Sequence, residues 1–267
     1  MKRIFYYKAL LNLIIASLVL PMFVVIIWAV SKSWAWPSIL PTEWGIRSIE
    51  YLINPRNKTL NILANSLLIS MLVTIFTLII TIPAGKALGQ YDFYGKEVVK
   101  LLSLAPLIVP SITVAMGIHV SFIKLGLANK MLGVILMHTL VSLPYGVRIF
   151  TNFFEIFDNK IEESAKNLGA RRRQVFFDIT MPMIAPSIVS AGGLIFTVSF
   201  SQYFLTFLIG GGRVMTLPMV MIPFIQSGDR MLASAYSLLF ISTSILLLFA
   251  FEKSLKLIYK DENFYEV

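Results

Sequence analysis

Apolar residues fall in six long runs that are separated by shorter polar segments. A helix that crosses the hydrocarbon core of a bilayer needs about 20 mostly apolar residues, and each run is close to that length. No Asp or Glu lies within the first five runs, and the sixth contains only Glu252, near its end. The pattern therefore predicts an all-α polytopic membrane protein with six transmembrane helices. The runs cover residues 9–31, 61–85, 98–123, 131–150, 186–209 and 233–257.

The longest polar segment, residues 159–182, lies between the fourth and fifth runs. Asn159 is followed three residues later by Glu162, the spacing of a capping box at a helix start. Glu162 and Lys166 stand four residues apart, which favours an ion pair on one helical face. Gly169 suits the left-handed residue that ends a helix. This half of the segment is predicted to be a short helix that ends at Gly169.

A second short helix is predicted after Gly169. It begins with three arginines and has an apolar face that includes Ile179, and Pro182 is predicted to end it. Three cations at a helix start oppose the helix dipole. Their partners are therefore expected outside the helix, either as lipid headgroups or as an acidic protein surface. The arginines are Arg171, Arg172 and Arg173.

Small hydroxyl residues recur along the second run at steps of three and four, which places them on one helical face. In lipid, such a face favours close packing between helices, and a polar transport pathway is the alternative interpretation. The residues are Ser66, Ser70, Thr74, Thr77 and Thr81.

Five further polar residues within the runs are candidates for a substrate path. His119 and His138 are ionisable at membrane depth, which suggests function, although a neutral histidine that packs against a neighbouring helix is the alternative. Ser199, Gln202 and Tyr203 form the most polar cluster within any run. Because an amide without a partner in hydrocarbon costs several kcal/mol, Gln202 is expected to face another helix or a wet cavity.

Composition agrees with a membrane protein. Charged residues make up 14% of the 267 residues, against about 25% in soluble domains, and the mean hydropathy is +0.79. A net charge of +9 would indicate nucleic acid for a soluble protein. Here the cations flank the apolar runs, so orientation in a membrane explains them and no nucleic acid is expected.

The distribution of cations predicts the orientation. Fifteen of the 23 Lys and Arg residues lie on the side of the two termini and the 159–182 segment, and eight lie on the other. Cytoplasmic loops carry the excess of Lys and Arg, so both termini are predicted to be cytoplasmic. The first run is too long for a signal peptide and is interpreted as a retained helix. The predicted divisions are residues 1–60, a helix and external loop; 61–258, the transmembrane domain; and 259–267, a cytoplasmic tail.

Catalytic and cofactor motifs do not occur in the sequence. There is no cysteine, and neither GxxxxGK[ST], HExxH nor GxSxG is found, which argues against an enzyme and against a Walker-type nucleotide site. Two histidines on different runs make a weak metal site, and no metal or cofactor is expected. A membrane path without an energy source indicates that energy comes from a partner.

The polar segment resembles the EAA motif of the permease subunits of binding-protein-dependent ABC importers, E-A-A-x3-G-x9-I-x-L-P. Glu163, Ser164 and Ala165 are followed after three residues by Gly169, and after nine more by Ile179 and then Met181 and Pro182. Ser164 and Met181 depart from the motif by residues of similar size. The chain looks most similar to permeases of the polyamine, iron, thiamine and phosphonate importers.

The resemblance implies a fold, partners and sites. It implies a coupling helix between spans four and five that docks on two cytoplasmic ATP-binding subunits, a second permease that is a sister chain or a copy, and an external substrate-binding protein. It places the chain in the cytoplasmic membrane of a bacterium or archaeon. A stand-alone secondary transporter or channel, and a scaffold without transport, are the alternatives. The coupling residues implied are Glu162, Glu163, Ala165, Gly169, Arg171, Ile179 and Pro182.

Overall fold

The computed structural model describes residues 2–35, 37–157 and 159–258. Its regular structure there is helical except for one short antiparallel hairpin, β1 (Ser31–Ser33) with β2 (Glu43–Trp44). The helices are α1 (Lys2–Ala29), α2 (Arg47–Ile53), α3 (Thr59–Gln90), α4 (Lys96–Ser103), α5 (Ala105–Ile108), α6 (Ser111–Lys124), α7 (Met131–Ile156), α8 (Lys160–Asn167), α9 (Arg172–Gln174), α10 (Met181–Phe200), α11 (Phe204–Gly210), α12 (Leu217–Ser227) and α13 (Arg230–Ile258). A 3-10 turn, Pro55–Asn57, precedes α3, and a π-helical turn, Val175–Thr180, joins α9 to α10.

Five helices of the described chain are long and apolar enough to cross a membrane, and one bent pair makes a sixth if it is counted as a single span. The predicted all-α polytopic fold is confirmed. The five are Leu10–Ala29, Thr59–Gln90, Met131–Ile156, Arg172–Phe200 and Arg230–Lys253, and the pair is Lys96–Ile108 with Ile112–Lys124.

The predicted span over residues 98–123 is sharply bent. The two parts of the pair meet at 99°, and the bend lies at Val109 and Pro110. Val109 is extended, with φ −82° and ψ 129°, because the proline ring disfavours the helical conformation of the residue before it. The helix therefore stops at Ile108 and restarts at Ser111.

The fifth span is also displaced from its predicted bounds of 186–209. A nearly continuous helical stretch runs from Arg172 to Phe200, stops over Ser201–Tyr203, and resumes as α11. Hydropathy did not indicate that the helix starts at Arg172, because its first turn is polar. It also did not indicate the interruption at Ser201–Tyr203, because apolar residues continue on both sides of it. Helix α12, which was not predicted, follows the turn at Gly211 and Gly212, where φ is positive.

Contacts divide the chain into two compact units. Among the described residues, the first joins the chain up to Ala64 with Leu217–Ser244, and the second joins Asn65–Thr216 with the residues from Ile245 to Ile258. The predicted divisions at residues 60 and 258 remain predictions, and the predicted tail, 259–267, lies outside the described residues.

Aromatic side chains organise the first unit. Tyr236 is only 1% exposed, its hydroxyl lies 3.2 Å from the Thr59 hydroxyl, and its ring stacks on Phe224. Trp28 stacks on Trp34 with centroids 4.4 Å apart. The contact between Thr59 and Tyr236 holds the start of α3 against α13.

The core of the second unit is centred on α7, which packs against α10 and α11. Apolar side chains from α3, α6, α7, α10 and α11 and from the turn after α11 fill it, so burial of apolar area provides its stability. The buried members are Ile69, Val73, Ala115, Val134, Ile135, Met137, Val141, Phe150, Phe154, Ile184, Ala191, Ile195, Leu205, Ile209 and Val214.

Helices α3 and α7 approach each other closely through small residues. A Cβ atom on Gly146 would lie within 3 Å of three Thr81 side-chain atoms, and one on Gly89 would lie 2.7 Å from the Phe154 Cβ. Gly85 faces Phe150 in the same way. All five hydroxyl residues of the predicted face are buried, which confirms the interpretation that this face packs against other helices.

A Gly85→Ala substitution is expected to destabilise the protein by about 1–3 kcal/mol, because the added methyl group overpacks a closed contact. The matched control is Gly117→Ala on α6, where nothing lies within 4 Å of the new Cβ. That substitution is expected to stabilise the helix by about 0.5–1 kcal/mol. The midpoint of thermal unfolding of the purified protein measures both, and an equal response of the two variants would contradict the close packing.

Candidate functional site

Helix α8 is the short helix predicted in the long polar segment, and it ends where predicted. Gly169 has φ +90°, its amide donates to the Lys166 carbonyl at 3.0 Å, and the Ala170 amide donates to the Ala165 carbonyl at 3.0 Å. These two bonds form a Schellman motif, which satisfies carbonyls at the helix end. No atom lies within 4 Å of a Cβ built on Gly169, so the backbone conformation, rather than space, requires glycine here.

The start of α8 differs from the prediction. Asn159 has φ −61° and ψ −10° and makes no capping hydrogen bond, and its Oδ1 has no hydrogen-bond partner among the residues that the structure describes. A capping residue needs an extended conformation to turn its side chain onto the first amides. The predicted capping box is therefore wrong, and Glu162 bonds elsewhere.

Glu162 is held in a buried network. Lys86 Nζ on α3 donates to both carboxylate oxygens, at 2.5 and 2.7 Å, and Thr180 Oγ1 donates to Oε1 at 2.8 Å. Glu162 is 8% exposed. Each hydrogen bond to a charged group contributes about 1.5–3 kcal/mol, so this network fixes α8 to α3 and to the turn that precedes α10. The predicted pair with Lys166 is present but long, at 4.0 Å.

Lys86 and the end of α3 also contact α7. Lys86 Nζ lies 5.7 Å from the centre of the Phe154 ring, a cation–π contact. Four residues further along α3, Gln90 Nε2 donates to the Phe157 carbonyl at 2.9 Å. Helices α3, α7 and α8 and the start of the fifth span therefore meet at one place.

The surroundings of Glu162 set its charge. Burial on its own raises the pKa of the Glu162 carboxyl and is the largest single influence. The hydrogen bonds from Lys86 and Thr180, with the charges of Lys86 and Lys166, together outweigh burial and lower the pKa below its ordinary value. Glu162 is therefore ionised at neutral pH.

Pro182 does not end the second helix of the segment, so that prediction is wrong. The chain passes from α9 through the π-helical turn directly into α10. Pro182 is the second residue of α10 and directly follows the π-helical turn, so the helix passes through the proline without stopping. The turn also brings the Thr180 hydroxyl 3.2 Å from the Val175 carbonyl, five residues back, while it donates to Glu162.

The predicted coupling residues separate into two groups. Glu162 faces inward, whereas Glu163, Gly169 and Arg171 are exposed, and the others are half-buried. Leu168 beside them is 89% exposed. Glu162 is thus held by hydrogen bonds inside the protein, whereas Glu163, the next residue, lies at the surface. The half-buried residues are Ala165, Ile179 and Pro182.

Two of the predicted path residues are bonded to each other. His138 is 1% exposed, its Nδ1 lies 3.0 Å from Ser199 Oγ, and its Nε2 lies 3.1 Å from Thr206 Oγ1. Both ring nitrogens therefore have partners, which ties α7 to α10 and α11. This geometry favours the packing interpretation of His138.

Gln202 and Tyr203 lie in the interruption between α10 and α11. A break in a helix at membrane depth leaves backbone groups that neighbouring protein or water must satisfy, and Thr206 Oγ1 donates to the Gln202 carbonyl at 3.0 Å. Both residues are half-buried. His119 is half-buried on α6.

A profile of the family described as "Binding-protein-dependent transport system inner membrane component" matches residues 1–261. The chain belongs to this family. The family is one of transport permeases rather than catalytic subunits, so the chain is a multi-pass membrane protein of the kind that the EAA-like segment implied.

Curated relatives agree with this membership. The chain is 31% identical over 128 residues to the molybdate/tungstate transport system permease protein of Pyrococcus abyssi, covering 48% of this chain and 51% of that protein. It is 30% identical over 142 residues to the putrescine transport system permease protein of Escherichia coli, covering 51% and 50%. The chain thus spans about half the length of these relatives.

Solved structures share the fold over almost the whole chain. A bacterial ABC transporter involved in import of the acidic polysaccharide alginate superposes with a TM-score of 0.75 at 16% identity, covering 94% of this chain and 96% of that chain. At this identity the likeness concerns the fold alone.

Sequence reasoning missed Lys86, Thr180 and Thr206 as partners of predicted site residues. Lys86 follows the last apolar residues of the second run and was counted only as a cation at the end of a span. The sequence offered one indication of a partner for Lys86, namely acidic residues elsewhere on the same predicted side of the membrane. Spacing along the chain cannot connect Lys86 with Glu162.

A Glu162→Gln substitution is expected to destabilise the protein by about 1.5–3 kcal/mol, because Lys86 loses its charged partner while it stays half-buried. Glu163→Gln is the matched control and is expected to change stability by less than about 0.5 kcal/mol, since Glu163 is exposed. Thermal unfolding of the two variants measures the difference. Equal midpoints would show that the buried network is not stabilising.

The same carboxylate predicts a pH dependence. Because the pKa of Glu162 is lowered in the folded protein, its contribution to stability is fully present above the pKa it has in the unfolded chain and is lost as pH falls through its folded pKa. Unfolding midpoints of the native chain should therefore fall more steeply on acidification than those of Glu162→Gln. Parallel curves would contradict the assignment.

Proposed function

We propose that the chain is the permease subunit of an ATP-driven ABC importer and that α8 docks on a cytoplasmic ATP-binding subunit, which carries out the hydrolysis. One observation carries the proposal. The inner side of α8 is bonded to the spans through Glu162, while the side chains of Glu163 and Leu168 are exposed at the surface.

This arrangement suits the transmission of movement. A displacement of α8 would pull on α3 through the bonds between Glu162 and Lys86, and on the fifth span through the bond between Glu162 and Thr180. Both are hydrogen bonds to a charged carboxylate. Packed cores move as rigid pieces rather than deform continuously. Movement of two ATP-binding subunits would therefore reorient α3 and α10 together.

The surface around α8 favours a partner with acidic groups. A cavity of about 420 Å³ is lined by Lys166, Arg172, Tyr91 and Phe176 together with the buried network. Arg171, Arg172 and Arg173 are exposed beside it. Arginine binds carboxylates in a bidentate manner, so acidic side chains of the ATP-binding subunit are the proposed occupants.

Family membership supports the remaining proposed partners. We propose a second permease, a sister chain or a copy, and an external binding protein that delivers the substrate. One structural neighbour is described as a bacterial alginate ABC transporter in complex with an alginate-bound periplasmic protein. The proposed location is the cytoplasmic membrane of a bacterium or archaeon, with α8 and both termini in the cytoplasm, which agrees with the excess of cations on that side.

For the path itself, we propose that Gln202 and Tyr203 line it at the interruption between α10 and α11. His138 and Ser199 would hold the interrupted helix in place from behind, and His119 on α6 remains a proposed path residue. Relatives are named for an oxyanion and for a diamine, so family membership does not determine the charge of the substrate.

Family membership favours this function over a stand-alone secondary transporter or channel. A permease of this kind works only with its ATP-binding subunits, whereas a secondary transporter works alone. Transport by proteoliposomes that contain the complex should therefore require ATP.

Leu168→Ser tests the docking surface. Leu168 is 89% exposed, so the substitution should leave folding unchanged, while loss of an apolar anchor at the centre of an interface weakens association by more than about tenfold. The matched control is Leu125→Ser, at the far end of α6 and 70% exposed. Retention of the ATP-binding subunit on the tagged chain is the measurement.

Two outcomes would contradict the proposal. Equal retention by Leu168→Ser, by Glu163→Arg and by the native chain would place the contact elsewhere. Substrate uptake by proteoliposomes that continues without ATP would favour the stand-alone transporter.

A further inference from the structure

A second cavity, of about 480 Å³, lies away from the α8 network, between α4 and the last turns of α7. Its lining combines charged, hydroxyl, amide and aliphatic side chains. The lining residues are Glu97, Lys100, Leu101, Ser103, Leu104, Val147, Arg148, Thr151 and Asn152. Nothing in the coupling function uses this cavity.

Arg148 is the unusual member of the lining. It lies within α7, a helix long and apolar enough to cross a membrane, two turns before the helix ends at Ile156. In the described part of the chain it forms no ion pair, whereas Lys100 beside it pairs with Glu155 at 2.6 Å. Arg148 is exposed, so its guanidinium is open to an anion from outside the chain, which it can bind in a bidentate manner.

Thr151 gives an independent indication of a ligand. It is 3% exposed, and its Oγ1 has no hydrogen-bond partner among the described residues. It follows Arg148 by three residues and Asn152 follows by four, so all three occupy one face of α7 and line the same cavity. Buried hydroxyl groups in native proteins normally have a partner, and an acceptor in the cavity would supply it.

Helix α4 places the cavity at the membrane surface. Its two cations, Lys96 and Lys100, lie four residues apart on one face, and Val98, Leu101 and Leu102 are each about 60% exposed or more. Such amphipathic helices lie at the boundary between headgroups and acyl chains. Leu101 and Leu104 continue this apolar surface into the cavity, so the ligand should have an apolar part.

Glu97 adds a specific requirement. It is exposed and lines the cavity, and it forms no ion pair in the described chain. An occupant with only negative charge would be repelled by this carboxylate, whereas an occupant that carries both a phosphate and a cation would satisfy Arg148 and Glu97 together.

We propose that this cavity binds the headgroup of a phospholipid that carries a primary amine. The phosphate accepts hydrogen bonds from Arg148, Thr151 and Asn152, and the ammonium group of the lipid faces Glu97. The acyl chains lie along Leu101 and Leu104. Basic pockets between helices at a membrane surface bind lipid headgroups in this way, and the site is independent of the docking of an ATP-binding subunit.

The test is lipid retention by the full chain, purified with the subunits that accompany it and measured by native mass spectrometry. The protein is equilibrated with phosphatidylethanolamine, phosphatidylglycerol or phosphatidylcholine in detergent. We expect phosphatidylethanolamine to be retained most. Phosphatidylglycerol lacks the cation, and phosphatidylcholine carries a cation that cannot donate a hydrogen bond.

Three variants identify the residues. Arg148→Gln should lower retention of all phosphate headgroups about tenfold or more, since it removes a charge-assisted bond, and Arg148→Lys should restore part of it. Glu97→Gln should reduce the preference for phosphatidylethanolamine over phosphatidylglycerol by about twofold to fivefold, as expected for an exposed ion pair. The control, Lys124→Gln, removes a cation at the opposite end of the bent pair and should change nothing.

Other results would overturn the proposal. Retention that does not depend on the headgroup, or that Arg148→Gln leaves unchanged, would exclude a lipid site in this cavity. A preference for phosphatidylglycerol that Glu97→Gln does not alter would replace the amine lipid with a purely anionic one. If Arg148→Gln instead separated the permease subunits without affecting lipid, Arg148 would belong to a protein contact.

Discussion

The carboxylate of Glu162 is the constraint on which this structure depends. A buried negative charge is tolerated only where cations and hydrogen-bond donors surround it, so Lys86 and Thr180 must be at fixed positions. Lys86 is brought there by the close approach of α3 to α7, which glycine and threonine permit. Thr180 is brought there by the π-helical turn. The position of α8 is therefore a result of how three other elements pack.

The division of tasks between adjacent residues follows from helix geometry. Consecutive side chains of a helix are separated by about 100° around its axis, so Glu162 points into the protein and Glu163 points away from it. Internal attachment and the proposed external recognition are thus one residue apart. Either task alone would be ordinary for a short surface helix, and both together would suit the proposed role of α8 in connecting the spans with a partner.

The sequence predicted the features that depend on local chemistry. Apolar runs identified the spans, steps of three and four identified the packed face of α3, and Gly169 identified the end of α8. It failed where distant segments decide the outcome. Asn159 and Glu162 had the right spacing for a capping box, but the charge of Lys86, 76 residues away in sequence, attracts the glutamate more strongly. Pro182 had the composition of a stop signal, but the helix continues through it from the π-helical turn, and Pro110 proved to be the residue that breaks a span.

The π-helical turn has a consequence for how this segment can change. A π-turn holds one more residue than an α-helical turn covering the same distance. Deleting any one residue between Val175 and Thr180 would allow the turn to become α-helical while the helical turns on either side of it keep their orientation. A deletion within α10 would instead rotate everything after it by about 100°. The π-helical turn is therefore a place where the fifth span can lose one residue without a change in the angle at which α8 meets it.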